Sequence, residues 1–120
     1  MILNVPDVTN VISGSIYKQK RPIDSSAEDV VIGCLPTVNS QIQRAVANVN
    51  IHVSNLGISG DNSQPNFARL RELTTLVISK LSDQYKDSFW FDVEQQNIFT
   101  ENYINQHYLN IRVQFFNNNL

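Results

Sequence analysis

The sequence contains little cysteine and little charge, and it has no long hydrophobic run. The single cysteine, Cys34, excludes an internal disulfide and a cysteine-rich metal cluster. A net charge of −2 excludes an overall basic field of the kind that holds a phosphate backbone. No apolar stretch approaches the ~20 residues of a membrane span, and the first residues lack the charged start and apolar core of a signal peptide. We therefore expect a soluble protein made in a reducing compartment.

Amide side chains supply much of the polarity that charged residues would otherwise provide. Charged residues make up 17% of the chain, below the usual value of about 25%, whereas the sequence holds fifteen Asn and nine Gln. Such a surface suits protein contacts, although a compositional habit of the source genome would produce it equally well. The 120 residues, 42% of them hydrophobic, suffice for one domain that buries roughly two-thirds of its unfolded surface.

One long helix is predicted from Pro65 to Gln84. Its apolar residues recur at intervals of three and four and form one stripe: Phe67, Leu70, Leu73, Leu76, Val77 and Leu81. Proline is accommodated at a helix start, where the first N–H groups have no helical partner, and Ser63 or Gln64 is the expected cap. Because the flanking segments are predicted to be strands, the apolar stripe of the helix is expected to lie on a sheet.

The longest predicted strand runs from about Gln41 to Asn55 and alternates with a period of two. One face carries Ala45, Ala47, Val49, Ile51 and Val53, and the other carries Asn48, Asn50, His52 and Ser54. The first face is expected to meet the helix, and the second to be wet or to contact another subunit. The other predicted elements are strands at Ser15–Arg21, Val30–Leu35, Phe89–Glu94 and Tyr108–Phe116, and a short helix between Asn4 and Ile12.

These elements predict a single α+β domain over residues 1–120, in the order α-β-β-β-α-β-β, with an antiparallel sheet packed against the long helix and the short N-terminal helix. The segment from Gln95 to Gln106 is predicted to be irregular and polar, and its apolar residues are expected to pack somewhere: Ile98, Phe99, Tyr103 and Ile104. Three cations in the four residues Lys18–Arg21 are compatible with a nucleic-acid contact. We favour a strand end whose charge opposes edge pairing.

A catalytic or metal site requires titratable groups that converge, and the sequence offers few candidates. His52 and His107 are the only histidines, the first on the polar face of the longest strand and the second at the start of the last one. No Cys-x-x-Cys or His-Glu-x-x-His motif is present, and nothing in the sequence activates the thiol of Cys34. The sequence therefore predicts no catalytic residue, no cofactor, no metal site and no enzymatic activity.

The first third of the chain contains a strand that ends at a proline, a loop and an apolar strand, in the segments Gly14-Ser15-Ile16-Tyr17, Arg21-Pro22 and Glu28-Asp29-Val30-Val31-Ile32. This pattern is similar to the first hairpin of the tail terminator and tail-completion proteins of long-tailed bacteriophages. The long strand up to Ser54-Asn55, the Leu-rich helix and the closing strand also match that family in order and length. The resemblance covers nearly the whole chain and is topological.

The resemblance implies a structural virion protein of the tail and neck, assembled in the cytoplasm of the bacterial host. Such proteins form rings, usually hexameric, that cap the head-proximal end of the tail tube and join it to the neck. The implied partners are further copies of the chain, the tail tube protein and the neck or connector proteins, with no membrane. DNA would pass through the lumen without specific binding.

Two loops carry the residues that we expect at subunit or tube contacts. The loop after the longest strand contains the exposed-looking Leu56 and Ile58, followed by Asp61. The loop before the second strand is the most acidic segment and contains Asp24, Glu28 and Asp29. Carboxylates that face a channel would repel the phosphate backbone, although both loops could equally be solvent-facing turns.

Two other classes of protein are also compatible with the sequence. The order α-β-β-β-α is also that of double-stranded RNA-binding domains, which need a cationic cluster at the start of the second helix. Here that helix opens with Gln64-Pro65-Asn66-Phe67, and two further strands follow. The chain could also be a subunit of an enzyme whose site is supplied by a partner.

Overall fold

The computed structural model describes residues 6–22, 25–34, 43–58, 60–61, 63–85, 90–101 and 104–117. Within them the elements follow in the order α1 (Pro6–Thr9), β1 (Ile16–Lys18), β2 (Val30–Cys34), β3 (Gln43–Ser54), α2 (Phe67–Tyr85), β4 (Trp90–Glu101) and β5 (Gln106–Asn117). The α+β class predicted from the sequence is confirmed. The first helix is a single turn of four residues.

The five strands form one mixed sheet in the order β1-β2-β3-β5-β4. The β2–β3, β3–β5 and β5–β4 pairs are antiparallel, but β1 and β2 are parallel, with Ile16 beside Val30. The prediction of a purely antiparallel sheet is therefore wrong, and so is the expectation of a hairpin between the first two strands. Parallel neighbours need a connection that crosses the sheet rather than a tight turn.

One face of the sheet packs against α2 and forms the core. Of the five residues of β3 predicted to point there, four are buried: Ala47, Val49, Ile51 and Val53. The side chain of the fifth, Ala45, lies outside the described part of the structure. Leu109, Ile111 and Val113 of β5 share this face and are buried with them. The period of two predicted for β3 is thus confirmed, and β5 follows the same alternation on the core face.

Helix α2 contributes Leu70, Leu73 and Val77 to the core. The N-cap is Asn66, whose Oδ1 accepts a hydrogen bond from the backbone N–H of Arg69 at 3.2 Å, so the predicted cap at Ser63 or Gln64 is wrong. Phe67 is 56% exposed, contrary to its predicted place in the buried stripe. It lies in the first turn of the helix and lines an open groove together with Ile98 and Leu109 of the sheet.

Strand β4 continues to Glu101, although the sequence predicted irregular structure from Gln95 onward. It pairs with β5 over its length, with a register shift between Val93 and Gln95. Neighbouring backbone hydrogen bonds along β5 therefore hold a polar segment in the sheet despite its low strand propensity.

The second face of the sheet is covered at one end by the connection between β1 and β2. We call its described residues 19–22 and 25–29 the crossover segment. The side chain of Arg21 in this segment reaches Glu101 of β4 and Gln106 of β5, on the far side of the sheet. This cover explains why His52, on the face predicted to be wet or to contact another subunit, is only 6% exposed.

Candidate functional site

Arg21 lies at the centre of a buried ion-pair network on the second face. One terminal nitrogen, Nη1, donates to Asp29 Oδ2 at 3.1 Å. The other, Nη2, donates to Glu101 at 3.1 Å and to Gln106 Oε1 at 2.9 Å. The side chain of Arg21 is 10% exposed and that of Asp29 is fully buried. The guanidinium thus joins the crossover segment to β4 and β5 at a place where each charge has a partner.

Asp29 also fixes the start of β1. Its Oδ1 accepts a hydrogen bond from the backbone N–H of Ser15 at 3.0 Å, while Oδ2 accepts one from the hydroxyl of Ser25. Gly14 passes so close that a Cβ there would lie 1.9 Å from Asp29 Oδ1. A side chain at this position would therefore displace the carboxylate.

Gln106 completes the network from the first residue of β5. Its side-chain amide donates to the carbonyl of Ser26 at 2.7 Å and to that of Ala27 at 3.2 Å, while its oxygen accepts from Arg21. Gln106 is completely buried. Its bonds satisfy carbonyls of the crossover segment that would otherwise be desolvated without partners.

His52 lies beside this network but has no aligned hydrogen bond. Its Nδ1 is 3.0 Å from Glu101 Oε1, but the geometry is not that of a hydrogen bond. Burial and the positive charge of Arg21 lower the pKa of His52 to about 4, against the opposing effect of Glu101 and Asp29. The imidazole is neutral near pH 7, and this pKa is too low for an efficient general base there. The ring packs against Tyr108, with 4.9 Å between centroids.

His107 occupies the other face of the sheet and is also buried. Its Nδ1 lies 2.6 Å from Asn55 Oδ1, and its Nε2 lies 3.1 Å from the hydroxyl of Thr100. Cys34 pairs with Ala47 in the ladder, five residues along β3 from His52. At about 3.4 Å per residue the two positions are about 17 Å apart, so they do not form a nucleophile and base. The side chain of Cys34 lies outside the described part of the structure.

A second feature is a group of exposed apolar side chains, which we call the apolar end. Its members are each between 40% and 56% exposed: Leu56, Ile58, Phe67, Ile98 and Phe99. The strands β3 and β4 end near here and β5 begins here, since Ser54 and Glu101 both pair with Gln106. The sequence predicted exposure for Leu56 and Ile58, but it predicted packing for Ile98 and Phe99.

A groove of about 260 Å³ opens at the apolar end between α2 and the β4–β5 pair. Phe67 and Ile98 form part of its walls, with Leu70 and Leu109 beneath them. On the opposite face, the ring of Phe99 stacks on Tyr108 with 5.2 Å between centroids. Apolar surface is therefore present on both faces of the outer strand β4.

The loop after β3 holds Ile58 outward through local contacts. Ile58 and Asp61 form a β-bridge, and the carboxylate of Asp61 accepts hydrogen bonds from Ser63 and Gln64. These bonds, that of the Ser63 hydroxyl first, lower the pKa of Asp61. Leu56 is tied to the same loop by its N–H, which donates to the carbonyl of Gln64 at 2.9 Å.

The described carboxylates of the acidic loop form ion pairs within the fold. Glu28 pairs with Arg69 of α2 through two hydrogen bonds of 2.8 and 2.9 Å, which lower the pKa of Glu28. Asp29 is buried against Arg21, so its carboxylate is not available to a neighbour. Asp24 lies outside the described residues. Among the acidic contact residues expected from the sequence, Asp61 is the one described as facing solvent.

The sequence did not reveal the network because the contacts of Arg21 with Glu101 and Gln106 join residues that are 80 and 85 positions apart. No local spacing signals such a pairing. In the part of the chain that the structure describes, no three potential ligands converge on a metal position. Over the same residues, no helix is long and apolar enough to cross a membrane.

Comparison with protein-family models gives no match, and neither does comparison with curated proteins.

Proposed function

We propose that this protein is a structural assembly subunit rather than an enzyme, and that it forms a ring at the head-proximal end of a bacteriophage tail. In this role copies of the chain cap the tail tube and join it to the neck of the virion. The ring is a hexamer, and DNA passes through it without specific binding. The proposal follows the resemblance in element order and draws its physical support from the surface of the chain.

The observation that carries the proposal is the apolar end. Five large apolar side chains that are two-fifths or more exposed lie where three strands and the start of α2 meet. Exposed large apolar side chains grouped at one end of a fold indicate a contact surface more often than singly scattered ones do. Leu56 and Ile58 project from a loop that is held by its own hydrogen bonds, which lowers the entropy cost of ordering it in an interface.

The polar groups of the described residues support a structural role in a different way. Arg21, Asp29 and Gln106 satisfy one another inside the fold. His52 has a pKa of about 4 and stacks on Tyr108. These contacts fix the crossover segment on the sheet. The polar groups of Arg21, Asp29 and Gln106 bond to the chain itself and are not directed at a substrate.

Assembly is tested by measuring the mass of the purified chain by multi-angle light scattering and native mass spectrometry, with negative-stain electron microscopy of the same sample. We expect rings for the natural sequence and monomers for the double variant Leu56→Asp, Ile58→Asp. Ser79→Asp, at an exposed position of α2 away from the apolar end, is the control and should leave the rings intact. Circular dichroism checks that each variant is folded.

A strict monomer at the highest soluble concentration, with no ring in micrographs, would overturn the proposal. Labelling of purified phage tails with an antibody against the chain tests the location separately. We expect label at the head-proximal end of the tube. Label at another place, or rings that do not bind tails, would show that the chain assembles but does not cap the head-proximal end of the tail.

A further inference from the structure

The loop between β3 and α2, residues 55–66, presents an aliphatic side chain and a carboxylate from one turn. The backbone N–H of Asp61 donates to the carbonyl of Ile58 at 3.0 Å, and Gly60 between them has a φ of 82°, in the left-handed region. Ile58 is 46% exposed, and the carboxylate of Asp61 faces solvent. Because hydrogen bonds within the loop already order this turn, it can dock with little further loss of entropy.

The groove between α2 and the β4–β5 pair is concave and carries the opposite charge. Its lining residues are apolar or uncharged apart from Arg71: Phe67, Leu70, Thr74, Thr75, Ile78, Ile98 and Leu109. An apolar cavity of about 150 Å³ is enough for a benzene molecule. The groove has a volume of about 260 Å³ and therefore has room for one branched aliphatic side chain.

Arg71 differs from the other charged residues at the start of α2. Arg69 is paired with Glu28 and with Glu72. Arg71 is exposed and pairs with no carboxylate among the described residues. A guanidinium without a partner beside an apolar groove favours an occupant that combines an apolar side chain with a carboxylate.

The loop has these two properties and cannot supply them to the groove of its own chain. Asp61 is the only charged residue in the loop. None of Leu56, Ile58 and Asp61 lines the groove of the same chain. Two loops in contact would bring two Asp61 carboxylates together, and two grooves would bring two Arg71 guanidinium groups together. Like charges at a contact cost free energy, so shape and charge both favour a loop of one copy in the groove of another.

We infer that the loop of one copy docks in the groove of the next copy, with Ile58 between Phe67 and Ile98 and with Asp61 beside Arg71. This inference rests on the proposed ring and identifies the contact between its subunits. The contact joins two different surfaces, so it is heterologous and gives a closed ring when the rotation between copies closes. It buries three of the five side chains of the apolar end. Asp61 keeps its bonds to Ser63 and Gln64, because each carboxylate oxygen accepts more than one hydrogen bond.

Charge reversal with rescue tests the contact on the full chain. Asp61→Arg and Arg71→Glu each place like charges together. We expect each of them to raise the concentration needed for half assembly by at least about tenfold, measured by analytical ultracentrifugation. The double variant, with both changes in one chain, restores opposite charges, and we expect it to assemble within about threefold of the natural sequence.

The rescue separates the contact from damage to the loop. Asp61→Arg also removes the acceptor of the Ser63 and Gln64 hydrogen bonds, and Arg71→Glu cannot repair that loss within the chain. Ser79→Glu, at an exposed position of α2 outside the groove, should assemble like the natural sequence. Circular dichroism should show that all variants are folded.

Cysteine cross-linking tests which two surfaces meet. Ile58→Cys and Ile98→Cys are purified separately, mixed below the assembly concentration, concentrated and oxidised. We expect a disulfide-linked pair of the two variants in the mixture, well above the background of each variant alone and of the natural chain with its single Cys34.

Each other outcome rejects a specific part of the argument. Unchanged assembly in both Asp61→Arg and Arg71→Glu would overturn the loop–groove contact and leave the ring. Equal cross-linking in Ile58→Cys alone would show loop–loop pairing and also overturn it. Native mass spectra in which every assembled copy retains a small molecule, lost on Thr75→Trp, would show that a ligand fills the groove instead. A monomeric natural sequence would overturn the proposed function, and the inference with it.

Discussion

At the scale of single residues, the buried carboxylate of Asp29 joins separate parts of the chain. Its carboxylate accepts hydrogen bonds from Ser15, Arg21 and Ser25, and so links the start of β1 to two points of the crossover segment. The side chain is fully buried. Removal of one member of a buried ion pair leaves the other charge without compensation.

We predict that Asp29→Ala destabilises the fold by about 3–5 kcal/mol, because the buried guanidinium of Arg21 would keep Glu101 as its only described carboxylate partner and the Ser15 N–H and Ser25 hydroxyl would lose their acceptor. Urea unfolding followed by circular dichroism measures the change in the free energy of unfolding. Asp61→Ala is the matched control, since that carboxylate is exposed and bonded to its own loop. If the two variants lost equal stability, the buried network would not have the role assigned to it.

His52 gives the fold a specific pH dependence. Its pKa falls from 6.5 in the unfolded chain to about 4 in the folded one, first because of burial and then because of Arg21. Between these two values the unfolded state binds the proton more strongly, so acidification favours unfolding. The stability that depends on a neutral His52 is fully present above pH 6.5 and is lost as the pH falls toward 4, by at most about 3 kcal/mol.

We predict that His52→Gln flattens the loss of stability between pH 7 and pH 5, because glutamine does not titrate. Unfolding midpoints in urea at both pH values, for the natural chain and the variant, measure the difference. The depressed pKa of Glu28 acts mainly below its unfolded value of about 4.5, so this window separates the two groups. An unchanged pH slope in His52→Gln would show that other residues cause the acid sensitivity.

At the scale of elements, the local sequence pattern correctly predicted buried residues where one face of a strand or helix packs against the core. The alternation in β3 predicted the burial of Val49 and Ile51, and the periodicity of α2 predicted that of Leu70 and Leu73. Such patterns are reliable because a strand or helix that packs on one side repeats its apolar residues with its own geometry.

Local pattern failed where tertiary contacts decide the structure. The second half of β4 is polar, and the pairing of Ile98 with Leu109 in the neighbouring strand keeps it extended. The parallel pairing of β1 with β2 depends on the crossover segment, which Arg21 anchors to residues 80 and 85 positions away. A single sequence shows neither partner of such contacts. It likewise placed His52 on the correct face of β3 without revealing that this face is covered.

At the scale of the whole molecule, the surface expected for assembly was predictable only in part. The aliphatic residues Leu56 and Ile58 stand out in a polar loop, and they are exposed as expected. Phe67, Ile98 and Phe99 join them because the ends of α2 and β4 meet at the same end of the sheet. The extent of the apolar end therefore follows from topology rather than from any one segment.

The number and distribution of charged residues over the whole molecule determine how strongly it binds nucleic acid. Eleven acidic residues outnumber nine Lys and Arg, and two of the arginines, Arg21 and Arg69, are paired with carboxylates of the chain. Lys18 and Lys20 are exposed. Affinity for a phosphate backbone rises with the number of cations free to displace counterions, so a pair of lysines should hold a duplex only weakly.

We predict that the assembled protein shows no measurable binding to labelled duplex DNA or RNA at physiological salt in fluorescence anisotropy. At low salt the chain should bind weakly, and Lys18→Glu with Lys20→Glu should weaken that binding further. The low-salt binding should also fall with rising salt along a slope of about two phosphate contacts, because Lys18 and Lys20 form an exposed pair of cations. Tight binding of duplex RNA by the natural chain, with a steeper salt slope, would favour an RNA-binding module over a ring through which DNA passes freely.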